Sequence, residues 1–143
     1  MDRAIYKIND LSLENDELIL NETIFHNANG YIGARSNFEE GYKEGYDSIR
    51  GSYINGFYDF AEMKQAEKLC GLCEEKQTML NVADVQGIKL LIGDELFSMF
   101  EGEVLESSRM LDMEAGYTAR RIVWRSPKGK TVEIFIKRMT SFV

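Results

Sequence analysis

Two glycine-punctuated aromatic segments, HNANGYIGARSNFEEGY at residues 26–42 and GSYINGFYDF at residues 51–60, restrict this chain more than any other feature. Glycine reaches positive φ without a steric penalty, and asparagine tolerates it better than most residues, so Asn29-Gly30 reads as a chain reversal. Tyr31-Ile32-Gly33-Ala34-Arg35 then has strand character, and Gly33 leaves room for a backbone or a large side chain to approach. Asn55-Gly56 repeats the turn device between Tyr53-Ile54 and Phe57-Tyr58. These features predict an organised β surface with aromatic rings on both sides of tight turns.

The rest of the chain extends the β pattern. Residues 4–9 and 17–25 read as early strands, the second leading into the Asn29-Gly30 turn. Ile88, Leu90 and Ile92 alternate on one face, and residues 96–100 follow a Gly93-Asp94 turn, which predicts a hairpin. Residues 117–125 and 131–139 flank Ser126-Pro127-Lys128-Gly129, with Pro second and Gly last as a type I turn prefers. Val132, Ile134 and Ile136 face one way while Glu133 and Lys137 face the other, the signature of a sheet with one buried and one solvated face. Residues 60–75, dominated by Ala, Glu, Met, Lys and Gln, form the helix candidate, weakened by Gly71. The predicted fold class is all-β, an antiparallel β-sandwich with one short helical segment.

At 143 residues the chain is the size of one domain, and a chain of about 150 residues buries roughly 68–70% of its unfolded surface. A net charge of −7 with scattered lysines and arginines argues against nucleic acid as a partner, because phosphate neutralisation needs clustered cations. No apolar stretch approaches the ~18 residues of a membrane span, and the polar start MDRAIYKIND has no signal-peptide hydrophobic region. The reading is cytoplasmic, with no membrane partner. Two cysteines, Cys70 and Cys73, make no disulfide framework and suit a reducing compartment.

Few residues suggest chemistry. Cys70-Gly71-Leu72-Cys73 has the spacing of a redox or zinc half-site, but there is no second pair, and His26 is the only histidine. Structural or incidental thiols are favoured over a small redox protein, and no metal site is assigned. His26 reads as a hydrogen-bonded structural residue. Glu39 and Glu40 are neighbours, so in extended chain they point to opposite faces and cannot flank one scissile bond. They read as solvated loop acids, with an ion pair from Glu40 to Arg35 or Arg50 as the alternative. The rings at 31, 42, 46, 53, 57, 58 and 60 read first as core filler. A sugar-stacking platform is the functional alternative. Tyr42, Tyr46, Arg35, Tyr53 and Tyr58 are the candidates for carbohydrate binding or a domain interface, with Tyr42 and Tyr46 the best exposed. Asn29, Gly30, Gly33, Asn55 and Gly56 are the structural turn residues. No catalytic residue is assigned.

Asn29-Gly30-Tyr31-Ile32-Gly33-Ala34-Arg35-Ser36-Asn37-Phe38-Glu39-Glu40 resembles the NGYLGxRGNFEE pattern of the N-terminal domain of glycoside hydrolase family 65, the maltose, trehalose and kojibiose phosphorylases and related hydrolases. Ser36 stands where the pattern has Gly. Residues 52–58 are similar to the pattern TYVNGxY, residues 111–116 to LDMxxG, and residues 138–141 to RxxS, so the resemblance runs in pieces over most of the chain. Ala83 replaces a usual Pro. The resemblance implies the N-terminal portion of a longer chain, part of a supersandwich-like domain preceding an (α/α)6 barrel. In that barrel a Glu acts as general acid, and phosphate attacks the anomeric carbon with inversion. It implies a non-catalytic domain that packs on the catalytic barrel of the same chain, aids homodimerisation and shapes the active-site entrance. The implied substrate is an α-glucoside disaccharide, with no cofactor and with inorganic phosphate as co-substrate if the parent is a phosphorylase. An independent carbohydrate-binding module is the competing expectation, and exposed sheet edges would favour dimerisation by strand pairing.

Overall fold

The computed structural model describes residues 4–63 and 73–141. Antiparallel sheets and one short helix make up the fold. The first sheet has the order β1-β8-β9-β10, formed by β1 (Ile5–Asn9), β8 (Glu103–Asp112), β9 (Tyr117–Arg125) and β10 (Thr131–Arg138). The second has the order β2-β3-β4-β5, from β2 (Asn27–Ala28), β3 (Ile32–Ala34), β4 (Ser52–Glu62) and β5 (Glu75–Asn81). A small hairpin joins β6 (Leu91–Ile92) to β7 (Glu95–Leu96). The fold class is the one that the alternation and turn spacing predict.

The β9–β10 hairpin forms where its pattern places it. Gly129 N–H bonds the Ser126 carbonyl at 2.8 Å and Gly129 takes φ +88°, closing the turn that Pro127 begins. Val132, Ile134 and Ile136 pack on the core while Phe135 and Lys137 face outward.

Four expectations need correction. Residues 17–25 are not a strand, because α1 spans Asn15–Ile24. Leu18, Asn21 and Glu22 are its buried positions, with the buried C-cap Phe25 continuing the same face, a helical spacing that the polar Asn21 and Glu22 disguise as strand alternation. Asp16 and Glu17 in the first turn complement the helix dipole. Asn55-Gly56 is not a reversal. Gly56 takes φ +87° inside β4, where the register with β5 shifts between Tyr53 and Tyr58 as a β-bulge. The helix candidate at 60–75 begins inside β4, and its middle, residues 64–72, lies outside the described residues. The hairpin at 88–100 is also shorter than its alternation suggests, with Ile88 exposed and Phe97 and Met99 buried in the segment after β7.

The core sits between the inner face of the first sheet and α1 with its neighbouring loops. Leu18, Phe38, Phe97, Met99, Ile122 and Trp124 form it. Phe97 meets Trp124 edge-on at 5.4 Å, and the indole N–H reaches the Glu101 carbonyl at 2.7 Å. Beyond Gly56, most of β4 and β5 is exposed, so this part of the second sheet projects as a ribbon carrying Phe57, Tyr58 and Phe60.

Candidate functional site

The polar residues of segment 26–42 converge on two buried charge clusters. In the first, Glu22 of α1 is 1% exposed. Its Oε1 accepts from Tyr42 Oη (2.6 Å), Ser48 Oγ (2.7 Å) and Asn37 Nδ2 (2.7 Å), and its Oε2 accepts from Ile49 N–H (3.1 Å). Arg35 Nη2 lies 3.5 Å from Oε2. Burial alone would raise this carboxyl, but the hydrogen bonds from Tyr42, Ser48, Ile49 and Asn37 outweigh it and hold the group below its ordinary value. Burial and the same carboxylate push the Tyr42 phenol up to about 12.

In the second cluster, Arg120 Nη1 donates to Glu39 Oε2 at 2.7 Å, and Nη2 donates to Glu40 Oε1. Arg138 pairs with Glu39 Oε1 and donates to the Asn37 carbonyl and to Gln86. The Phe38 ring lies 4.3 Å from the Arg120 guanidinium and 4.9 Å from that of Arg109. Glu39 and Glu40 are therefore not solvated loop acids, and neither pairs with Arg35 or Arg50. Residues 39–40 lie in a turn rather than in extended chain, which brings both carboxylates to one arginine. Their shared partner Arg120 sits about eighty residues away on β9, and Arg138 at the end of β10 is farther still, beyond the reach of local pattern.

The sequence candidates distribute as follows. Tyr42 is not an exposed ring. It stacks on Phe38 at 5.1 Å and 11° and packs against the core. Tyr46 contacts Phe100 at 4.2 Å and retains 37% exposure. Arg35 also donates to the Ile19 carbonyl, and Arg50 pairs with Asp84 and donates to the Phe38 carbonyl. Asn29 Oδ1 accepts from Tyr31 and Ile32 N–H at 2.9 Å, with Gly30 at φ +85°. A Cβ added at Gly33 would meet Ala28 Cβ at 3.4 Å, an ordinary contact. Tyr58 is exposed, and its hydroxyl reaches Asn55 Oδ1 at 3.2 Å. His26 Nδ1 donates to the Thr23 carbonyl at 2.7 Å. Cys73 is exposed, and Cys70 lies outside the described residues.

Two open grooves adjoin β3. One, of about 430 Å³, is lined by Tyr31, Ile32, Tyr53 and Met79, with His26, Arg35 and Asn55 also contributing. The other, of about 460 Å³, lies between β3 and the end of β10 and includes Val85, Ile88 and Met139. Among the described residues no group of three or more His, Cys, Asp or Glu side chains is arranged to hold a metal. None of the described helices is long and apolar enough to cross a membrane.

A family profile described as glycosyl hydrolase family 65, N-terminal domain, matches residues 9–143. The chain belongs to that family. This family 65 domain is 47% identical over 137 residues to alpha,alpha-trehalose phosphorylase of Geobacillus stearothermophilus, covering 94% of this chain and 18% of that protein. It is 30% identical over 120 residues to kojibiose phosphorylase of Halothermothrix orenii, covering 84% of this chain and 14% of that one. A solved chain described as a candidate kojibiose phosphorylase from the human microbiome superposes with a TM-score of 0.75 at 24% identity, covering 96% of this chain and 18% of that chain. That likeness carries the fold. The family 65 domain thus spans less than a fifth of the length of these relatives.

Proposed function

We propose that these residues are the non-catalytic N-terminal part of a longer phosphorylase or hydrolase acting on an α-glucoside disaccharide. One observation carries the reading: nearly the whole chain matches a trehalose phosphorylase at 47% identity while covering 18% of it. The buried carboxylates support it. Inverting glycoside cleavage needs two carboxyl groups about 6.5–9.5 Å apart and free to act on substrate, whereas Glu22, Glu39 and Glu40 are all held by hydrogen bonds or guanidiniums. The domain packs on a catalytic barrel of the same chain, aids assembly of a homodimer and contributes loops near the active-site entrance. The apolar grooves beside β3 and the exposed rings of β4 are the surfaces available for those contacts. Inorganic phosphate is the co-substrate in the phosphorylase case, and no cofactor is required. The net charge of −7 fits a cytoplasmic enzyme.

A carbohydrate-binding module is the second reading, favoured by the groove that sets Tyr31 and Tyr53 beside Arg35 and Asn55. Titration of the isolated chain with maltose, trehalose and kojibiose distinguishes the two, since saturable binding supports only the module. The leading reading is tested by the intact mass of the native protein in its source cell. A mass several times 16.4 kDa supports it, and a mass near 16.4 kDa overturns it.

A further inference from the structure

A small cavity of about 10 Å³ lies where β8, β9 and β10 meet the segment after β3. Its polar lining is Ser36, Thr118, Arg109, Arg120, Arg138 and Glu39. A volume of roughly 10–15 Å³ admits one water-sized guest.

This lining consists almost wholly of donors. Guanidinium groups cannot accept a hydrogen bond. Thr118 Oγ1 already accepts from Asn27 Nδ2 at 2.7 Å, which leaves its hydroxyl proton to donate. Glu39 is the one carboxylate in the lining, and its two oxygens are engaged by Arg120 and Arg138. Arg120 is 4% exposed, and its Nε has no hydrogen-bond partner among the described residues. The charges do not balance either. Arg109, Arg120 and Arg138 face Glu39 and Glu40, so one positive charge is in excess in a region where Arg109 and Arg120 are each 4% exposed. Burial pulls the Arg109 guanidinium down to about 10, with Arg120 pushing the same way and Tyr42 opposing. A buried charge in excess is costly until an opposite charge joins it.

We infer that this cavity binds a small monovalent anion of halide size, chloride being the physiological candidate. A water guest could donate to the remaining lone pairs of Glu39 and the hydroxyls but would leave the excess positive charge in place, while a halide accepts from the guanidiniums and hydroxyls and supplies the missing charge. Sulfate and phosphate are too large for the space. This site is independent of the proposed role in a longer enzyme.

The test is the melting temperature of the chain as sodium gluconate is replaced by sodium chloride at fixed ionic strength. Binding to the folded state alone predicts a rise of about 4 °C per tenfold increase in chloride above the dissociation constant. The Ser36→Ala, Thr118→Val double variant should lose most of that slope. Broadening of the ³⁵Cl resonance by the wild-type chain, reversed on unfolding, gives a second readout that needs no variant. Equal melting temperatures in gluconate and chloride, a slope unchanged in the double variant, or no ³⁵Cl broadening by the folded chain would each overturn the inference.

Discussion

Tyr42 Oη donates a 2.6 Å hydrogen bond to Glu22 Oε1, fastening the loop after β3 to α1 across twenty residues of sequence. The same carboxylate takes Asn37, Ser48 and the Ile49 backbone, so one buried charge organises residues 35–49. The polar part of the motif therefore acts as a lock on the fold. Its apolar member, Phe38, is 2% exposed and belongs to the core.

Glu22→Gln should cost about 3 kcal/mol, because a glutamine amide placed at Oε2 turns a donor toward the Ile49 N–H, and the other bonds lose their charged acceptor. Urea unfolding measures this. A change below about 1 kcal/mol would mean that the loop is held by other contacts.

The same group sets a pH dependence. Its folded value lies below the ordinary carboxylate value, so it contributes stability that is fully present above the unfolded value of about 4.3. That contribution is lost as pH falls through the folded value. Thermal melts from pH 7 to pH 3 should show stability falling below about pH 4.5. The fall should be shallower in Glu22→Gln, and parallel curves for the two proteins would count against this assignment.

Gly102 should tolerate no side chain. It takes φ +73°, and an added Cβ would lie 2.5 Å from the Arg125 carbonyl and 2.8 Å from the Trp124 indole nitrogen. Gly102→Ala is expected to destabilise by about 2 kcal/mol or more, and Gly33→Ala by less than about 1 kcal/mol, since its contact is ordinary. Comparing the two variants by chemical denaturation checks the ranking.

Arg120→Met would strand Glu40 and leave Glu39 with Arg138 alone, both carboxylates nearly buried, beside a shortened apolar chain. Removing one partner from such a cluster typically costs about 3–5 kcal/mol. Loss of cooperative unfolding or a destabilisation in that range is the expected result. A melt within 2 °C of wild type would show that the two carboxylates are hydrated rather than paired.

What was legible in the sequence was whatever short-range pattern determines. The β9–β10 hairpin carries its own alternation and turn residues, and Asn29-Gly30 forms the reversal its chemistry suggests. Helix α1 was hidden because two of its buried positions are Asn21 and Glu22, whose place inside depends on partners from a later loop. Gly56 was misread because positive φ serves a bulge as well as a reversal, and only the pairing of β4 with β5 distinguishes them. The ion partners of Glu39 and Glu40 were invisible because they come from strands late in the chain. Nothing local signalled that Tyr42 would turn inward, although its packing on Phe38 follows once Glu22 is buried.

The central claim is that this domain supports catalysis done elsewhere in a longer chain. It is tested most directly by incubating the isolated 143-residue chain, first shown to melt cooperatively, with trehalose, kojibiose or maltose in the presence and absence of inorganic phosphate. The account predicts no release of glucose or glucose 1-phosphate above the uncatalysed background. Turnover by the isolated folded chain, with or without phosphate, would contradict it.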